Sequence, residues 1–175
     1  MHAKQAPGKR KSKEAALSAI YDEYYDKIVR YIFAKIGNHA EAEDLAGEAF
    51  LKALHSLESY KERGFPMHAW LFKIAHNLIV DYLRRTSKRK IVSIETVKVA
   101  DASDPQAITE IKMERVRLAS ALDQLTPAQR QVIELRFFGG LTSEDAGRIL
   151  NKRSGAVREM QSAAISRLRK LLHEK

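Results

Sequence analysis

The chain has no cysteine. That excludes disulfides, thiolate zinc fingers, iron–sulfur clusters and thiol nucleophiles together, and it fits a reducing, cytoplasmic setting. Glycine and proline number only 8 and 4 in 175 residues, too few for a turn-rich all-β or low-complexity chain. No apolar run approaches the roughly 18–20 residues of a membrane span, so no membrane insertion is expected. The basic start, MHAKQAPGKRKSK, leads into no apolar core, so no secretory signal is expected. Acidic residues are in deficit: 22 against 31 Lys and Arg, a net charge of +9.

Such an excess points to a polyanion partner, and it is clustered. Residues 1–13 carry five bases and no acid, residues 84–90 (RRTSKRK) five more, and residues 152–175 seven bases against two acids. Acids gather elsewhere, at Glu41, Glu43, Asp44 and Glu48. Separate basic and acidic surfaces suit two kinds of partner.

The patterning is helical nearly throughout, and 45% hydrophobic content is enough for real cores. Residues 1–13 read as a disordered basic arm. Leu17, Ile20, Tyr24, Ile28, Tyr31 and Ile32 recur at three- and four-residue steps, and Gly37-Asn38 ends that helix. Asn38 caps a second helix running to about Leu57, with Glu41 placed to answer the cap. Residues 58–66 form a loop, and Pro66 opens a third helix that ends in the basic run. Residues 91–109 break the pattern and read as a linker with one short strand possible. Helices resume near Glu110. Thr126-Pro127-Ala128-Gln129 is a strong helix start, and that helix carries Val132, Ile133, Leu135 and Phe137 to Gly139-Gly140. Thr142 caps a short helix with Asp145 in the reciprocal position, and Ser154 caps a longer one. The expectation is an all-α chain: two small helical domains, residues 14–90 and 110–175, joined by a flexible linker.

Leu141–Leu168 has the layout of a helix-turn-helix. The second helix of such a pair enters a major groove with its N-terminal residues at base edges. Arg153, Ser154, Arg158, Glu159 and Ser162 are free to point outward there. Arg158 can bond guanine bidentately and Glu159 can accept from a cytosine amine. Lys152 and Arg153 suit phosphates, which add affinity without sequence choice.

In the first domain, aromatics alternate with bases: Tyr60, Phe65, Trp70, Phe72 and Tyr82 beside Lys61, Arg63, Lys73, Arg84 and Arg85. That mixture suits unstacked single-stranded nucleic acid. Trp70 and Tyr82 fall on the apolar stripe and fit a core equally well, whereas Phe65, in the loop, is the better base platform. The residues alone leave open a free-standing helix-turn-helix regulator. His39, His55, His68 and His76 raise metal or base chemistry, but no close pair shares a face with a carboxylate, so no metal, cofactor or catalysis is expected.

Three segments, in order, carry a resemblance: AEDLAGEAFLKAL (42–54), FPMHAWLFKIAHNLIVDYLRR (65–85) and LTPAQRQVIELRFFGGLTSEDAGRIL with SGAVR (125–158). Together they resemble a bacterial RNA polymerase sigma factor of the extracytoplasmic-function type, which keeps only the second and fourth sigma regions. The resemblance implies a non-catalytic promoter-specificity subunit with core polymerase (β′ clamp helices and β flap) and promoter DNA as partners. It also admits an anti-sigma protein. It implies polymerase contacts at Asp44, Leu45, Glu48, Phe50 and Leu51. Minus-10 recognition and melting fall to Lys61, Arg63 and Phe65 in the loop, and to Asn77, Asp81, Arg84 and Arg85 on the following helix. The minus-35 element falls to Lys152, Arg153, Ser154, Gly155, Arg158, Glu159 and Ser162. Relatives usually have Gln at Gly47, a β-branched or apolar residue at Gly147, and often a base at Met160 or Ala163.

Overall fold

The computed structural model describes residues 7–87 and 105–173. The expected linker core and its optional strand lie outside those residues. Regular structure in the described part is helical. Three helices form the first half: α1 (Pro7–Ile36), α2 (His39–His55) and α3 (Met67–Ser87). Four form the second: α4 (Pro105–Asp123), α5 (Pro127–Ile133), α6 (Ser143–Leu150) and α7 (Ser154–His173), with a π-helical turn at Glu134–Phe138 after α5.

Local chemistry accounts for most boundaries. Gly37 sits at φ 73° and donates its N–H to the Phe33 carbonyl, closing α1. The Asn38 side chain accepts the Glu41 N–H at 3.1 Å and opens α2. Thr126 and Gln129 exchange side-chain and backbone bonds in a full capping box.

Several expectations are corrected. The basic arm is not disordered from residue 7: α1 begins at Pro7, because Lys13 and Arg10 find partners on the loop after α2. The helix after the linker begins at Pro105, a favoured first-turn residue, rather than near 110. Ser154 is the first helical residue of α7, not its cap: the Arg153 carbonyl already accepts from Val157. After α5 the helix widens, with Gly139 N–H bonding Glu134 O and Leu141 N–H bonding Leu135 O.

The described residues form the two expected helical domains, and these also pack on one another. One apolar core runs through both, joining Ile28, Ile32, Leu71 and Phe72 to Val132, Leu135, Leu141 and Ile149. Gly139 makes the approach possible: a Cβ there would lie 2.9 Å from Phe72 Cε1 and 2.7 Å from the Leu135 carbonyl. Polar pairs cross the same boundary. Lys35 Nζ meets buried Glu134 at 2.6 Å, and Lys73 Nζ donates to the Ile149 carbonyl at 2.8 Å. A smaller core of Leu122, Leu125, Ile133 and Ala164 belongs to the second half alone.

Candidate nucleic-acid interface

Three exposed surfaces collect most of the expected residues. The first is on α2. Its inner face is Ala42, Leu45, Ala46, Ala49, Phe50 and Ala53, all buried, and the small alanines let α1 and α3 come close. Leu45 and Phe50 are therefore core residues, only 6% and 7% exposed, and not free polymerase contacts. The ring of Phe50 packs on Tyr21 at 4.8 Å. Asp44, Glu48 and Leu51 do point outward, on one stripe at helical spacing, with Leu51 57% exposed. Gly47 lies on that stripe and faces open space.

The second surface is the loop after α2 together with α3. Tyr60 organises it: its hydroxyl donates to the Phe65 carbonyl at 2.9 Å, and its ring packs on Trp70 at 4.8 Å. Lys61 and Arg63 stand exposed on the closed loop. Phe65 does not stand free as a platform; it is half-buried against the core. Trp70 and Tyr82 are half-buried there too. On α3, Asn77 is exposed and Asp81 half-buried, while Arg84 pairs with the Asp81 carboxylate at 3.2 Å and Arg85 donates to its backbone carbonyl. Asn77 and Asp81 line an open groove of about 450 Å³ whose other wall is α2, through Lys52, His55 and Ser56. The α2 wall was missed from sequence, although 52, 55 and 56 share one helix face.

The third surface is the helix-turn-helix of α6 and α7. The Thr142 side chain accepts the Asp145 N–H and starts α6. Asn151 ends it in the left-handed region at φ 55°, a conformation that Asn tolerates. The turn is tight: Lys152 N–H bonds Gly147 O at 2.8 Å, and a Cβ on Gly147 would lie 2.5 Å from the Lys152 carbonyl. That contact is the physical reason for glycine at position 147. Lys152, Arg153, Arg158, Glu159 and Ser162 are exposed; Ser154 and Gly155 are half-buried at the start of α7. Arg136, unnoticed in the sequence, ties the π-turn to α7 by donating to Gln161 at 2.8 Å and to the Leu141 carbonyl.

His68 and His76 serve the fold. His68 Nε2 lies 2.9 Å from Asp145 and its ring stacks on Tyr24. Burial raises the Asp145 pKa, but hydrogen bonds from His68, Thr142 and Arg148 outweigh it, so the carboxyl titrates below its ordinary value. The Tyr31 hydroxyl and His76 Nδ1 share a hydrogen bond at 2.9 Å. Burial, then Lys73 and Lys35, push His76 down, while burial pushes the Tyr31 hydroxyl up.

Comparison with known proteins decides the family. The family described as Sigma-70 region 2 matches residues 20–89, and Sigma-70, region 4 matches residues 121–170. SigL of Mycobacterium tuberculosis, an ECF RNA polymerase sigma factor, is 30% identical over 168 residues, covering 95% of this chain and 94% of SigL. The chain belongs to the extracytoplasmic-function sigma factors. The ECF sigma factor BldN of Streptomyces coelicolor is 33% identical over 161 residues; those span 90% of this chain and 60% of BldN. Among solved structures, the sigma factor RpoE of Bartonella quintana, in complex with the anti-sigma factor NepR, is similar with a TM-score of 0.67 and 25% identity. It covers 90% of this chain and 97% of that one. As a sigma factor the chain is a promoter-specificity subunit that binds core RNA polymerase and promoter DNA and directs transcription initiation. The family is non-catalytic. No described helix is long and apolar enough to cross a membrane.

Proposed function

We propose that the three surfaces divide the work of initiation, in the cytoplasm where polymerase acts. Region 2 comprises α2, α3 and α1 beyond its first turns, and region 4 comprises α4–α7. The α2 stripe of Asp44, Glu48 and Leu51 docks on the β′ clamp helices, with Leu45 and Phe50 holding the helix in place from within. The loop 61–66 and the α2/α3 groove capture opened minus-10 DNA. Lys61 and Arg63 attract the strand, Asn77 and Asp81 face the captured base, and Arg84 and Arg85 hold backbone phosphates. Phe65 stiffens the loop instead of stacking in it.

The N-terminal end of α7 reads the minus-35 element. Arg158, Glu159 and Ser162 face base edges, Lys152 and Arg153 meet phosphates, and Ser154 and Gly155 let the DNA backbone come close. The β flap is the proposed polymerase contact of region 4. An anti-sigma protein is the proposed regulatory partner, by likeness to a sigma factor solved with one.

The observation that carries this reading is the open groove between α2 and α3, which brings Lys52, His55, Asn77 and Asp81 together around an apolar floor of Ile74 and Leu78. The free arrangement is too compact to read both elements at once. They lie about 25 base pairs apart, roughly 85 Å of duplex, while Lys73 of α3 touches Ile149 of α6 at 2.8 Å. Promoter engagement therefore parts the halves.

The test separates the surfaces. Leu51→Glu abolishes binding to core polymerase while leaving the melting curve unchanged. Arg158→Ala keeps core binding but loses choice among minus-35 sequences, by roughly tenfold or more. Core binding unaffected by Leu51→Glu, or unchanged minus-35 choice in Arg158→Ala, contradicts the assignment.

A further inference from the structure

The first turns of α1 precede the segment that matches region 2, which begins at residue 20. They are not idle. Lys13 is half-buried, and its ammonium lies 3.1 Å from the Leu57 carbonyl, 2.9 Å from the Tyr60 carbonyl and 3.5 Å from the Glu58 carbonyl. An ammonium has three donors and no acceptor, so this cradle uses it fully. The carbonyls just past a helix C-terminus need partners, and a cation there also meets the negative end of the α2 dipole. Nearby Arg10 pairs with Glu14 and Glu58, but those side chains are exposed and hold little.

The second partner of Lys13 matters most. Tyr60 is fastened at three points. Its carbonyl takes Lys13, its ring packs on Trp70, and its hydroxyl closes the loop onto the Phe65 carbonyl. Lys13 Nζ also sits 5.9 Å from the centre of the Tyr60 ring, within cation–π range. Everything between Tyr60 and Phe65, including Lys61 and Arg63, hangs from that clasp.

We infer that Lys13 is a positioning residue for base choice at the minus-10 element, fixing the loop 61–66 through Tyr60 from outside the region 2 segment. The inference rests on the reading of that loop as the minus-10 reader. Lys13 itself touches no DNA.

The experiment uses the full chain with core polymerase and a panel of promoters, each with one base changed in the minus-10 block. Wild type is compared with Lys13→Met, Lys13→Arg and Lys11→Met. Lys13→Met keeps the stem and removes the donors; Lys11→Met removes the same charge from an exposed neighbour. Open-complex formation gives the ratio between preferred and altered bases, and hydrogen exchange follows the amides of residues 57–65. Lys13→Met should cut the ratio by roughly tenfold, the scale of a lost charge-assisted hydrogen bond, and speed exchange in the loop. Lys13→Arg should restore both. Lys11→Met should weaken all promoters alike and leave the ratio intact. A Lys13→Met protein with wild-type ratio and exchange overturns the inference, as does a Lys11→Met protein with the same loss of ratio, or a Lys13→Arg protein that restores neither. A wild-type chain that opens no promoter with core polymerase sinks the minus-10 reading itself, and the inference with it.

Discussion

His68 on α3 and Asp145 on α6 meet at 2.9 Å, 77 residues apart in sequence and on opposite sides of the boundary between regions 2 and 4. The Asp145 carboxylate also accepts from Thr142 at 2.9 Å and from Arg148 at 2.7 Å. It braces the helix-turn-helix and ties it to region 2.

A double-mutant cycle on this pair should therefore show coupling. Asp145→Ala removes a buried acceptor from three donors and should cost about 2–3 kcal/mol, with His68→Ala costing less. The two together should cost less than their sum by about 1 kcal/mol or more. Urea melts of the four proteins measure this, and strictly additive losses would show that the contact contributes nothing.

Acid should weaken the fold through two groups acting in the same sense. Asp145 has a folded pKa below its ordinary value, so its contribution is present at neutral pH and is lost as pH falls through the folded value. His76 is held neutral, below its ordinary value of 6.5, by burial and by the nearby Lys73 and Lys35. Its contribution is full above that ordinary value and declines as pH falls below it. Stability from urea melts should fall as pH drops below the ordinary histidine value of 6.5, through His76, and fall again below the ordinary carboxylate value of 3.8, through Asp145. His76→Gln should flatten the upper part of that slope; an unchanged slope would remove His76 as its cause.

Gly47 and Gly139 should respond oppositely to alanine. Gly47 is mid-helix with nothing near its missing Cβ, so Gly47→Ala should stabilise by about 0.5–1 kcal/mol. Gly47→Gln should gain similarly and strengthen core binding, because the position lies on the Asp44–Glu48–Leu51 stripe. Gly139→Ala should destabilise by about 1–3 kcal/mol, since the new methyl meets Phe72 and a carbonyl. Thermal melts decide both signs.

What was legible in the sequence was local. The caps at Asn38, Thr126 and Thr142 depend on residues three apart, and each formed. The family resemblance put Leu45 and Phe50 against the polymerase, but both fall on the alanine face of α2, where packing buries them. What was not legible was long-range. Lys35 and Glu134 are 99 positions apart, and neither helix pattern shows that a buried carboxylate awaits a distant ammonium. The disordered reading of residues 7–13 failed for the same reason: composition reports charge, not the carbonyls that receive Lys13.

Transcription by purified core polymerase on fragmented DNA of the source genome, with and without this chain, tests its role as a promoter-specificity subunit most directly. New start sites should appear only with the chain, each preceded by a shared pair of blocks near minus-10 and minus-35. Arg158→Ala should spare the first block and relax the second. No new starts, with the chain instead binding a palindrome in the absence of polymerase, would contradict the account and make the protein a free-standing helix-turn-helix regulator.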